Sequence, residues 1–219
     1  MSTLPFWQDF APETDLVAPY TDRFRVCFSG RRLDLPLRVL PNGQQAVSSL
    51  LVNQASFRVM DAFCADLAKV AQSIKPDLVV GMPTLGLELA ARVARSCELN
   101  RYVPLSTSRK FWYDERLAAP LSSITSPDQA KRLYLDPNLC PLLQTAKRII
   151  IVDDVVSTGV SLAAGVQVLA AAGVTPHAAL CVMTQSNRWK GRFSFPIMSC
   201  FSSPLFRKIK GGWAEQPID

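Results

Sequence analysis

Residues 149–161 read Ile-Ile-Ile-Val-Asp-Asp-Val-Val-Ser-Thr-Gly-Val-Ser, and no other stretch of the chain restricts its fold so strongly. Four β-branched residues in a row, with no polar alternation, suit a strand covered on both faces, as in a parallel sheet. The run stops at two carboxylates, which puts Asp153 and Asp154 at the strand's carboxyl end. Small and hydroxylated residues follow, and Leu162, Val166 and Leu169 then recur at helical spacing. The expectation is a strand, a tight loop and a helix whose first turn holds Thr158, Gly159 and Ser161. Free amides and hydroxyls at a helix N-terminus make a phosphate cradle. Two acids beside that cradle would repel the phosphate, so they suit sugar hydroxyls or a metal ion. The ligand implied is a sugar phosphate.

The rest of the chain has the alternation that such a unit needs. The first twenty residues mix prolines, acids and aromatics without a period, and read as an irregular arm that packs Phe6, Trp7 and Phe10 on a neighbour. Residues 24–28 alternate weakly up to a Ser29-Gly30 turn. Leu33, Leu35, Leu37 and Val39 then alternate cleanly as a half-buried strand, and after Pro41-Asn42-Gly43 a third strand returns over 46–52. Ala55, Val59, Phe63, Leu67, Val70 and Ile74 make one face of a long amphipathic helix. Buried strands are expected at 78–82 and 102–105, separated by a helix over 86–97. Residues 106–131 are polar, hold Pro120 and Pro127 and show no period; a connection of that length is functional or mobile. Gly173 closes the helix after the central strand, and strands over 174–183 and 193–201 follow. This is a parallel α/β sheet flanked by helices, with a small antiparallel hood in front and its ligands in the crevice at the strands' carboxyl ends. The units are an arm and hood strands over 1–53, an α/β core over 54–203 with a long loop at 106–131, and a tail over 204–219.

The motif resembles the phosphoribosyl pyrophosphate (PRPP) signature of type I phosphoribosyltransferases, without a gap through all thirteen positions. The resemblance implies that Asp153 and Asp154 bind the ribose 2- and 3-hydroxyls. It also implies that they hold Mg2+, directly or through PRPP or water. Val155, Ser157, Thr158, Gly159, Val160 and Ser161 would complete the PRPP site around the 5-phosphate. A second loop, Pro83-Thr84-Leu85-Gly86, stands where this family keeps its pyrophosphate-binding loop, with Gly86 allowing close approach. The family often has a cation before this glycine, where this chain has Leu85. It also often has a non-proline cis bond in this loop, which by position is Thr84–Leu85. Arg109 and Lys110, in the long connection, resemble the mobile cationic loop of adenine and xanthine phosphoribosyltransferases. There they would neutralise charge on the departing pyrophosphate.

The implied reaction is attack by a base nitrogen on the anomeric carbon of PRPP, catalysed through Asp153, Asp154, Arg109 and Lys110. Relatives acting on hypoxanthine and guanine usually carry an acid immediately before Thr-Gly, where this chain has Ser157. That favours adenine, xanthine or orotate, and the Arg-Lys loop tilts the choice to a purine. Asp114, Glu115 or Asp136 would assist proton transfer, and Gln185 or Asn187 would read base edges. The competing reading is a non-catalytic PRPP-binding regulator on the same fold.

Composition is compatible with this and excludes little else. The chain has 219 residues, 48% hydrophobic and 19% charged, and a formal charge of +6 that suits a polyphosphate substrate. Its six cysteines lie far apart, without a Cys-x-x-Cys pair, as expected for buried thiols in a reducing cytosol. The acidic, unpatterned N-terminus does not read as a signal peptide. A cytoplasmic homodimer, binding neither membrane nor nucleic acid, is the expectation. The lone histidine, His177, falls at the amino end of its strand, away from the motif loops.

Overall fold

The computed structural model describes residues 9–121 and 131–216. An antiparallel layer opens the chain with β1 (Arg23–Phe28), β2 (Arg31–Val39) and β3 (Gln45–Ser48). Then come α1 (Phe57–Ile74), β4 (Leu78–Gly81), α2 (Gly86–Ser96) and the short β5 (Val103–Pro104). An excursion through β6 (Ala118–Leu121), β7 (Lys131–Tyr134) and α3 (Cys140–Thr145) precedes β8 (Ile149–Val156) and α4 (Val160–Ala171). The chain ends with β9 (Ala178–Gln185), β10 (Ile197–Ser203), β11 (Leu205–Ile209) and β12 (Gly212–Glu215).

The core is a parallel sheet in the order β10-β9-β8-β4-β5, with β8 at its centre. Alternate residues of each strand enter two separate cores. Ile150, Val152, Leu180 and Val182 pack with Phe63 and Leu67 of α1 and Leu89 and Val93 of α2. Ile149, Ile151, Ala179 and Cys181 pack with Leu162, Val168 and Leu169 of α4. Burial on both faces is why these strands lack polar alternation. Helix α1 starts at Ser56, whose Oγ accepts from the Val59 amide, and ends at Lys75 in the left-handed region with φ 55. Among the described residues all six cysteines are free thiols, and no helix is long and apolar enough to cross a membrane.

The hood is larger than the opening strands alone. Its order is β1-β2-β3-β11-β12, so residues 205–215 form part of the hood sheet rather than a separate tail. Leu205 lies opposite Val47 and Phe206 opposite Ala46. Tyr20, Leu37, Phe206 and Trp213 build a third cluster inside this layer. Tyr20 and Trp213 exchange two backbone hydrogen bonds of 2.8 and 2.7 Å. At Gly212, the first residue of β12, a Cβ would collide with the Tyr20 carbonyl oxygen. Phe10 packs on its own chain: its ring lies 6.1 Å from that of Phe28, with the Arg31 and Arg58 guanidinium groups over its face. Phe6 and Trp7 lie outside the described residues.

The long connection also departs from expectation. Residues 106–131 are not a structureless loop up to their end. Glu115–Leu117 form a 3-10 turn, and β6 pairs with β7 as an antiparallel arm. Leu117, Ala119 and Leu133 are buried against α4, and Ser106 and Tyr134 exchange backbone hydrogen bonds at the base of the arm. Three apolar anchors, one in the 3-10 turn and one on each short strand, are too few to show a period, which hid the arm from pattern reading. The part of the predicted loop at 122–130 lies outside the described residues.

Candidate active site

Strand β8 does not stop at Val152. It runs on to Val156 because β9 continues beside it, pairing Asp153 with Cys181 and Val156 with Thr184. On the other side β4 ends at Gly81, opposite Val152. The two acids therefore occupy a step where the sheet has lost one neighbour. Helix α2 begins in that step. A Cβ on Gly86 would lie 2.8 Å from the Asp153 Cα and 2.8 Å from the Val152 carbonyl oxygen, both backbone atoms. The structure thus brings Gly86, the last residue of the loop of Pro83, Thr84 and Leu85, against Asp153. Gly86→Ala is expected to force that contact apart and cost about 1–3 kcal/mol, read as a lower chemical-denaturation midpoint with unchanged slope.

The cis peptide bond in this loop joins Pro83 to Thr84, one residue before the position expected from the sequence. Leu85 is already in helical conformation, with φ −79 and ψ −25, so the chain has turned before it. The Leu85 side chain packs against the first core, leaving backbone rather than charge to face a ligand here.

Asp153 is 7% exposed, and its Oδ1 accepts the Asp154 amide at 2.9 Å. Burial first, and the neighbouring Asp154 charge second, push its carboxyl well above the ordinary range. Asp154 is less buried by area but is also shifted upward, chiefly by desolvation. Two carboxylates held together against their own repulsion favour a ligand that brings hydroxyl donors or a cation.

Gly159 caps α4 with φ 78, so Ser157, Thr158 and Gly159 form the turn before the helix instead of its first turn. The first helical bond runs from the Ala163 amide to the Gly159 carbonyl. The amides of Val160, Ser161 and Leu162 consequently have no acceptor within the helix. A Cβ on Gly159 would meet the Phe193 ring at 2.9 Å and the Trp189 Cβ at 3.4 Å. Trp189 and Phe193 thus wall the cradle from the segment after β9, a role that sequence reasoning missed. Their only signal was an aromatic cluster, Trp189, Phe193 and Phe195, in a polar loop.

The remaining candidates fall elsewhere. Arg109 Nε lies 2.7 Å from Glu115 Oε1, and Glu115 Oε2 lies 3.4 Å from Arg132 Nη2. Lys110 has no acidic partner among the described residues. No hydrogen bond or ion pair among them joins Arg109 or Lys110 to the strand-end loops. Phe111 is 94% exposed and stands edge-on to Trp112, whose Nε1 donates to Asp136 at 3.1 Å. The three acids weighed for proton transfer are engaged locally. Asp114 caps the 3-10 turn and pairs with Arg116, which holds its carboxyl below the usual range. Glu115 bridges two arginines, and Asp136 accepts from Trp112 and Asn138. Gln185 is a buried strand residue rather than a loop residue, donating from Nε2 to the Ser48 carbonyl. The His177 amide bonds the Ile149 carbonyl at the opposite end of the sheet.

Residues 46–214 match the family model described as the phosphoribosyl transferase domain. The chain belongs to that family. Its sheet and helices have the type I phosphoribosyltransferase fold, shared with the adenine phosphoribosyltransferase of Giardia lamblia in complex with 9-deazaadenine (17% identity, TM-score 0.56, 70% of this chain and 83% of that one). The Trypanosoma brucei adenine phosphoribosyltransferase, in complex with AMP, pyrophosphate and ribose-5-phosphate, aligns over 83% of this chain and 75% of its own. Its identity is 14% and its TM-score 0.57. The enzyme of Thermoanaerobacter pseudethanolicus aligns at 17% identity with TM-score 0.51, over 67% of this chain and 82% of that one. No curated protein sequence matches the chain. Within this family fold, β8, its loop and α4 form the central unit, and the family match takes in β11 and most of β12 of the hood.

Proposed function

We propose that this phosphoribosyltransferase-family protein moves 5-phosphoribose from PRPP to a ring nitrogen of a purine, with release of pyrophosphate. The observation that carries the reading is the packing of Gly86 on Asp153 at the sheet step, with the α4 N-terminus following β8 after a three-residue turn. The paired acids thus have an amide-bearing loop packed on one of them and a phosphate cradle next in the chain.

In this reading the Val160, Ser161 and Leu162 amides and the hydroxyls of Ser157, Thr158 and Ser161 hold the 5-phosphate. Asp153 and Asp154 accept from the ribose hydroxyls. The amides of the 83–86 loop receive the pyrophosphate. The base nitrogen forms its bond to the anomeric carbon while the bond from that carbon to pyrophosphate breaks, and the electron pair leaves with pyrophosphate. The nitrogen's proton passes to solvent. Positive charge grows on the ribose during bond breaking, and the two carboxylates oppose it electrostatically.

Asp153 and Asp154 also fit Mg2+. Among the described residues no group of three ligating side chains exists, and Mg2+ is commonly held by one or two carboxylates plus substrate oxygens and water. When bound, it would neutralise charge on the leaving group.

Pyrophosphate release over a panel of bases with PRPP tests the reading. Adenine or xanthine is expected to be turned over, with hypoxanthine and guanine poor, because Ser157 supplies no acid. Orotate as the best substrate would replace the purine reading. PRPP binding without turnover of any base would establish a non-catalytic regulator instead.

A further inference from the structure

We propose that Gln185 sets base specificity: its side-chain carbonyl accepts a hydrogen bond from an exocyclic amino group, favouring a 6-aminopurine over a base without that donor. This deepens the function proposed above and rests on it. Gln185 is the last residue of β9, one step past the Val156–Thr184 pair, and lies opposite Ser203 of β10. It is 6% exposed. Its Nε2 donates to the Ser48 backbone carbonyl, in the hood, at 2.8 Å. A carbonyl can only accept, so the amide has one possible orientation, with the NH2 end toward the hood.

The other end of the amide is free. Gln185 Oε1 has no partner among the described residues, yet none of their buried side-chain nitrogens or oxygens is without one. Oε1 therefore reaches solvent at the carboxyl end of the sheet. Its place suits a base. Asp153 lies opposite Cys181 and Val155 opposite Met183, so Gln185 stands three strand steps, roughly 10 Å, beyond the level of Asp154. A ribose and a purine together cover such a span. The chain then turns at Ser186, with φ 59, and returns over Gly159 through Trp189 and Phe193. Gln185 thus touches the hood at Ser48 and leads into the segment whose Trp189 and Phe193 wall the phosphate cradle.

A fixed acceptor discriminates by what it cannot do. An amino group donates to Oε1. An oxo or methyl group in the same place leaves Oε1 unpaired, and rotating the amide would break the Ser48 bond and bury Oε1 against the Ser48 carbonyl, acceptor facing acceptor. Around the pair, Ser48 Oγ and Ser203 Oγ lie 2.6 Å apart, and Thr184 Oγ1 lies 3.1 Å from Ser199 Oγ. The first ties the hood to the core beside the glutamine, and the second joins β9 to β10 within the core.

The test compares adenine with 6-methylpurine, which replaces the amino group by a methyl of similar size. The wild-type protein is expected to prefer adenine in kcat/KM by ~10- to 1,000-fold. Gln185→Met should bring the two bases close to parity, mainly by raising KM for adenine. A merely structural role would lower turnover of both bases and keep their ratio, and that result overturns the proposal. Equal use of the two bases by the wild-type protein, or hypoxanthine as its best base, overturns it without any variant. If no base releases pyrophosphate, the transferase reading fails and this assignment goes with it. Turnover with an unchanged ratio in Gln185→Met sinks the Gln185 assignment alone.

Discussion

Replacing Asp153 and Asp154 together by asparagine is expected to weaken PRPP binding by roughly 10²- to 10⁴-fold, if each lost charge-assisted hydrogen bond is worth what such bonds usually are. The same change should leave the fold intact, and Asp153→Asn alone should stabilise the free protein by about 1–2 kcal/mol, or roughly 2–8 °C in Tm. Asparagine keeps the Oδ1 that accepts the Asp154 amide, and it removes a charge from a site that resists charge. The effect has a sign in pH. A carboxyl whose folded-state pKa is raised keeps its proton in the folded chain after the unfolded chain has lost it. Its favourable contribution is complete below the ordinary value of 3.8 and disappears as pH rises toward the folded value. Wild-type stability should therefore fall as pH rises above about 4, and Asp153→Asn should flatten that slope. Calorimetry with PRPP and thermal melts between pH 4 and 8 measure both. Equal PRPP affinity in wild type and double variant would remove the acids from the ribose site, whatever the melts show.

Lys110→Ala should lower kcat/KM by ~10- to 1,000-fold while changing PRPP affinity much less. Lys110 has no acid to hold it among the described residues, and beside it Arg109 is paired with Glu115, both side chains being exposed. So open an ion pair holds weakly, and both cations remain available to a more highly charged anion. Their benefit belongs to the transition state, as charge develops on the leaving group. The arm restricts what can move: Leu117, Ala119 and Leu133 anchor β6 and β7 on α4. Hydrogen exchange with Mg2+, PRPP and an unreactive base analogue present should show new protection at 106–114, and little change in β6 and β7, which are already protected. Normal turnover by Lys110→Ala together with unchanged exchange at 106–114 would leave the segment a surface feature.

The central unit is legible in the sequence because its information is local. Ile149 to Val152 declare burial on both faces by their own composition, and Gly159 declares a turn that an L side chain rarely adopts. Helix α1 is legible for the same reason, since six apolar residues at spacings of three and four define a face wherever the helix packs. The extent of β8 is another matter. Whether Asp153 ends a strand depends on its neighbours, and β4 stops at Gly81 while β9 continues to Gln185. Only the register of three strands makes the step that receives Gly86.

The hood shows the same division. Leu33, Leu35 and Leu37 announce a half-covered strand, but their sheet is completed from the far end of the chain, where Phe206 and Trp213 bury against Tyr20 and Leu37. Gly211-Gly212 is a hairpin signal, yet nothing near it names β3 as the partner of β11. Gln185 can be read from sequence only as a polar residue near a loop. Its orientation comes from a carbonyl 137 residues earlier, at Ser48. Turns, caps and buried runs are decided by neighbouring residues and are written in the sequence. Strand ends, sheet membership and the direction of a buried amide are decided by partners distant along the chain, and only the tertiary structure brings those together.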